Sequence, residues 1–108
     1  MEFKYSYCFT EKAERDFDEI LRYISVDLAN PAAAQNFGRR LFEQLDMVRT
    51  FPECGAFADN EFLSDKSLRK LSVDNYIIYY KAHHNEKSIS VIRIIYGKRN
   101  LDEILKLM

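Results

Sequence analysis

A chain of 108 residues, 47% hydrophobic and 31% charged, with eight Phe and seven Tyr, has material for one packed domain that needs neither disulfides nor a metal. Cys8 and Cys54 form no CxxC pair and read as two reduced thiols, and no Cys/His cluster has zinc spacing. The opening MEFKYSYCF lacks the basic-then-apolar pattern of a signal peptide, and no apolar run approaches the ~20 residues that span a bilayer, so a cytoplasmic protein without membrane contact is expected.

Phe3, Tyr5, Tyr7 and Phe9 alternate with Lys4, Ser6 and Cys8, the period of a strand with one buried face. Thr10 follows as an N-cap, with Glu11 and Glu14 at the positive end of a helix dipole. Ala13, Phe17, Ile20, Leu21, Ile24 and Leu28 recur at spacings of three and four, predicting one helix to about Leu28. Asn30-Pro31 breaks and restarts the chain: Asn30 can cap, and Pro31 suits the first helical position. Ala34, Phe37, Leu41, Leu45 and Val48 form a second stripe that ends near Phe51, before Pro52. The short link predicts an antiparallel helical hairpin.

From Pro52 to Ser67 the composition is mixed and reads as a loop. Period two then returns over Leu68–Val73, Tyr76–Ala82 and Ser88–Tyr96, with a tight turn at Asp74-Asn75 and a second at His83 to Lys87. After Gly97, Asn100 can cap a short helix bearing Leu101, Ile104, Leu105 and Met108. The expected fold is α+β, a single domain over residues 1–108 in the order β-α-α-β-β-β-α. An antiparallel β-sheet should be covered on one face by the N-terminal helical hairpin.

Few residues point to chemistry. No phosphate-binding glycine loop, GxSxG or HExxH occurs. His83 and His84 are read as a solvated turn ahead of a metal site, because adjacent side chains diverge. The distinctive groups are the late cations Arg69, Lys70, Lys81, Arg93, Lys98 and Arg99. Through residue 65 the chain has seven Lys/Arg against thirteen Asp/Glu, and from residue 66 nine against four. Two faces with different partners would give this split, and so would ordinary solvated charge unevenly spread. Arg93 interrupts Val91-Ile92-Arg93-Ile94-Ile95, where a charge is costly unless it reaches water or a partner. Two readings stand side by side. In one, Val91, Arg93 and Ile95 lie on an unsealed face while Ile92, Ile94 and Tyr96 face the core. In the other, Arg93 pairs with an acidic helix residue.

Several segments together resemble the RelE/ParE toxin superfamily, and its ParE branch more than its RelE branch. They are Phe9-Thr10, Asp16-Phe17-Asp18-Glu19-Ile20 with Tyr23-Ile24, Asn30-Pro31-Ala32-Ala33-Ala34, and Phe51-Pro52-x-x-Gly55. They continue through Arg69-x-Leu71-x-Val73, Asn75-Tyr76-x-Ile78-x-Tyr80, Ile92-Arg93-Ile94-Ile95-Tyr96-Gly97-x-Arg99 and Ile104-Leu105, so the resemblance spans nearly the whole chain.

The resemblance implies a small toxin encoded beside a neutralising antitoxin, associated with plasmid stabilisation. ParE-like members inhibit DNA gyrase by binding it, whereas RelE-like members cut mRNA in the ribosome without a metal. Arg99 matches the arginine of the RelE-like Gly-Lys-Arg segment, but Ser72 stands where that branch places a strand arginine and Leu105 where it places a tyrosine. Tyr96 could substitute for the missing acid or base, which keeps the ribonuclease open as the alternative. A pI near 6.1 is low for a protein that must neutralise many phosphates.

The expected function is therefore a gyrase-inhibiting toxin that acts by protein binding, with Arg69, Arg93, Lys98 and Arg99 on the target. Its expected partners are the cognate antitoxin and DNA gyrase, and no cofactor or metal is expected. The alternative is a metal-independent, ribosome-dependent mRNA endoribonuclease using Arg99, Arg93 and Tyr96. A third class is a family member that retains antitoxin binding alone.

Overall fold

A computed structural model describes residues 4–58 and 65–98. Strand β1 (Ser6–Phe9) leads into helix α1 (Glu11–Arg22), which continues as a π-helical turn over Tyr23–Asp27 before helix α2 (Pro31–Thr50). Strands β2 (Ala56–Phe57), β3 (Arg69–Val73), β4 (Tyr76–His83) and β5 (Ser88–Tyr96) follow. The final helix expected after Asn100 lies outside the described residues.

Local chemistry sets the helix boundaries. Thr10 Oγ1 accepts from the Ala13 N–H at 3.2 Å and donates to the Ile92 carbonyl at 3.0 Å, so one hydroxyl starts α1 and ties it to β5. Asn30 Oδ1 accepts from the Ala33 N–H at 3.1 Å, with Pro31 in the first turn of α2. The apolar stripe expected for α2 is the buried one: Ala34, Phe37, Leu41, Leu45 and Val48 all lie in the core. Phe37, Leu41 and Leu45 pack with Ala13 and Ile20 of α1 against Val73, Ile78, Val91 and Ile94 of the sheet, and Val48 packs with Tyr80 and Ile89.

Four features differ from the sequence expectation. The sheet, in the order β1-β5-β4-β3-β2, is not wholly antiparallel, because β1 runs parallel to β5 with Ser6 opposite Ser88 and Phe9 opposite Val91. A period-two pattern says which face is buried but nothing about the direction of a distant partner. Second, α1 does not run as one α-helix to Leu28. An extra residue is accommodated in the turn, the Leu28 N–H bonds the Tyr23 carbonyl, and Leu28 stays exposed. Third, Ala56–Phe57, expected as loop, adds a short strand antiparallel to β3.

Fourth, β5 carries a bulge. Arg93 pairs with Tyr79 and Val91 with Tyr80, leaving Ile92 unmatched. The alternation therefore breaks in mid-strand. Val91 and Ile94 both join the helix-side core, while Ile92 and Ile95 pack on the other face with Tyr79, Ala58 and Leu68. The expectation that Val91 lies on an open face, with Ile92 and Tyr96 inward, is corrected: Val91 is fully buried and Tyr96 is exposed.

Candidate functional site

Among the described residues, the late cations differ in what holds them. Arg93 is held by α1: its Nε donates to Asp16 Oδ2 at 2.7 Å and its Nη2 to Oδ1 at 3.1 Å, with both side chains largely buried. Asp16 Oδ2 also accepts the Ile94 N–H at 3.0 Å. The reason is local. β1 ends at Phe9, so β5 beyond the bulge has a bare edge, and the Asp16 carboxylate and Thr10 hydroxyl satisfy the groups that β1 no longer reaches. Of the two readings of Arg93, the structure shows the pair with an acidic helix residue.

Arg69 is turned inward as well. Its Nη1 donates to the carbonyls of Glu53 at 3.3 Å and Gly55 at 2.8 Å, and its guanidinium lies 4.0 Å from the centre of the Phe57 ring. The same loop is pinned by Tyr80, whose hydroxyl donates to the Pro52 carbonyl at 3.0 Å and accepts from the Gly55 N–H at 2.9 Å. Burial, only partly offset by that N–H, pushes the Tyr80 phenol up to about 12. Lys81 donates to Asp65 at 2.9 Å. Hydrogen bonds from the Ser67 side chain and from Lys81 hold the Asp65 carboxyl at about 2.

Lys70 and Lys98 are exposed, with no ion pair among the described residues, whereas Arg99 lies outside the described residues. His84 lies exposed in the turn, as expected, whereas His83 is half-buried at the end of β4, and each makes a hydrogen bond. His83 closes β4 and meets Ser90 Oγ at 2.9 Å, and His84 Nδ1 meets the Tyr5 hydroxyl at 2.7 Å. Among the described residues no three His, Cys, Asp or Glu side chains are grouped to hold a metal ion.

The sequence suggests a seam beside the helical hairpin but does not name the side chains that line it. A groove of about 580 Å³ opens between the π-helical turn, the start of α2, the β3–β4 turn and the end of β5. Ile20, Ile24, Phe37 and Ile94 contribute apolar side chains to it, and Tyr23, Leu28 and Tyr96 line it while remaining exposed. Phe37, Tyr76 and Tyr96 form a chain of rings with centres 5.0 and 5.5 Å apart. Burial, with the neighbouring Tyr23 and Tyr96 phenols, raises the Tyr76 pKa above the ordinary phenol value. Asp16, Glu19 and Asp74 line the groove with one cation, Arg40, which bonds Asp74 at 3.0 Å. The π-turn brings Tyr23, Ile24 and Leu28 together here, and no residue type announces such a turn.

Several solved structures share this architecture. The toxin–antitoxin system ParDE of P. aeruginosa matches with TM-score 0.69 at 23% identity, over 88% of this chain and 98% of that one. The RelBE2 complex of Mycobacterium tuberculosis matches with TM-score 0.59 at 15% identity, over 86% and 98% of the two chains. The archaeal RelE–RelB complex of Pyrococcus horikoshii gives 0.57 at 15%, over 89% and 98%. At these identities the likeness speaks for the fold. Comparison with curated proteins returns no match. The family described as the ParE toxin of the type II toxin–antitoxin system parDE matches residues 7–101. The chain belongs to the ParE toxin family and is a toxin of a type II toxin–antitoxin system.

Proposed function

We propose that this toxin arrests growth by binding DNA gyrase, is neutralised by a cognate antitoxin seated in the groove beside the helical hairpin, and works in the cytoplasm. The observation that carries the gyrase reading is the use made of the arginines. Cleaving RNA requires cations and an acid–base pair free to meet a phosphate. Here the Arg93 guanidinium is closed by Asp16, and Arg69 is spent on the backbone of the 53–55 loop. Tyr96, the stand-in acid or base, lies in the groove beside Tyr76. Lys98 and Arg99, which follow β5 in the sequence, are the cations we place on the target, while Arg69 and Arg93 act as supports of the 53–55 loop and of α1.

Two assays on purified toxin test this together: supercoiling by DNA gyrase, and translation with the message mapped for cuts. Loss of supercoiling with intact mRNA is expected, and Arg99→Ala should weaken it without lowering the melting temperature. Ribosome-dependent cuts with normal supercoiling would overturn the reading in favour of the nuclease. A protein inert in both, yet bound by its antitoxin, would identify the third class.

A further inference from the structure

Strand β1 ends the sheet, and among the described residues no strand pairs with its outer edge. In a parallel pair only alternate residues bond the neighbouring strand. The Ser6 N–H donates to the Lys87 carbonyl at 3.1 Å and the Thr10 N–H to the Val91 carbonyl at 3.1 Å, so Ser6, Cys8 and Thr10 are the residues that face β5. The backbone N–H and C=O groups of Tyr7 and Phe9 therefore point outward. Two residues earlier the edge is already closed: the Tyr5 N–H donates to the Arg49 carbonyl at 3.1 Å, and the Tyr5 carbonyl accepts from Arg49 Nε at 3.0 Å. Ser6–Phe9 carries no charge, proline or bulge, the devices that keep a strand edge from pairing. The rings of Tyr7, Phe9 and Phe42 cluster beside it, with centres 6.1 to 6.5 Å apart, and Phe42 is 40% exposed.

We propose that this edge is a two-fold interface between two copies of the toxin, whose β1 strands pair antiparallel with Cys8 opposite its own counterpart. The register follows from the groups left open. Centred on Cys8, Tyr7 of each copy faces Phe9 of the other, and each of these pairs exchanges two hydrogen bonds, so every open group is used. Centred on Tyr7, Phe9 would face Tyr5, whose backbone groups Arg49 already holds, and only the central pair could bond. Charge sets the direction. Antiparallel pairing carries Lys4 of each copy toward the first turn of the other's α1, where Glu11 and Glu14 outnumber Lys12, whereas parallel pairing in register would lay Lys4 against Lys4. The Tyr7 and Phe9 rings of the two copies become cross-strand neighbours, with Phe42 beside them.

This register makes a covalent test possible. Opposed residues that exchange no hydrogen bonds have Cα atoms about 4.5 Å apart, within the reach of a disulfide. The full-length toxin with Cys54→Ser keeps Cys8 as its one thiol. Sedimentation equilibrium should show a reversible dimer, and the oxidant diamide should link it through Cys8. Ser6→Cys, made with Cys8→Ser and Cys54→Ser, should stay unlinked although it is as exposed, since position 6 faces Thr10. Cys8→Lys sets two ammonium groups opposite each other at an exposed position. It should weaken the dimer at least about fivefold while the melting temperature holds. A monomer at every concentration overturns the interface, as does a dimer that Cys8→Lys leaves intact. Linking through position 6 as efficient as through Cys8 overturns it too, whatever the lysine variant does.

Discussion

Asp16 receives three N–H groups, two from Arg93 and one from the Ile94 backbone. Removing such an acceptor strands a largely buried guanidinium and a backbone donor together, and each carries a desolvation cost. Asp16→Ala should therefore lower unfolding free energy by about 2–4 kcal/mol in urea titrations. Arg93→Ala should cost less, because the carboxylate it leaves keeps the Ile94 N–H. The double variant should lose clearly less than the sum of the two. Strict additivity would mean that the two side chains do not depend on each other. Toxicity must be read beside these stabilities, since an Arg93 variant that loses activity in step with its melting temperature has lost a support and not a contact.

The elements divide by whether their cause is local. Helix α2 was legible to the residue in its buried stripe, because an apolar repeat of three and four with Asn30-Pro31 in front has one reading. The hairpins β3–β4 and β4–β5 were legible for a similar reason, and Asp74 adopts the positive φ of 55° that the turn demands. The bulge, the π-turn and the strand at Ala56–Phe57 were not, since each answers to a partner far away in sequence. The groove was hidden with them, because it exists only where the π-turn, Tyr76 and Tyr96 converge.

Gly55 is the instructive middle case. The sequence marks it in Phe51-Pro52-x-x-Gly55, but only the fold shows why. A Cβ there would stand 2.6 Å from the Tyr80 hydroxyl and 2.8 Å from the Lys70 carbonyl. Gly55→Ala should cost about 1–3 kcal/mol, as overpacking does, and should speed amide exchange at position 55 and at Ala58. An alanine variant of native stability and unchanged exchange would show that the loop is not fixed by Tyr80.

In the molecule as a whole, the basic share of the charge division lies on β3, β4 and β5, which carry Arg69, Lys70, Lys81 and Arg93 with no Asp or Glu. The helices and the π-helical turn are only mildly acidic, with eight Asp/Glu against six Lys/Arg. Part of it is consumed across the layers by Asp16 and Arg93, and Arg40 with Asp74 runs the opposite way. What remains on the helix side includes Glu19, at the groove's wall.

The parallel seam between β1 and β5 bears on the order of assembly. Cys8 and Ser90, neighbours across it, are 82 positions apart in the chain, so closing the seam incurs a long-loop entropy that the helical hairpin and the meander avoid. The local pieces should form first and the seam last, leaving the edge of β5 bare in the folding transition state. Phe9→Ala, in the seam strand, should then act mainly by speeding unfolding, and Leu41→Ala, fully buried in the hairpin, should also slow folding while costing about 2–5 kcal/mol. Chevron plots of the two variants read the difference directly, and a Phe9→Ala protein that folds slowly but unfolds at the native rate would place the seam early. A toxin assembled in this order spends its last folding step with an unpaired strand edge exposed, the interval in which a second polypeptide could take the place of its own first strand.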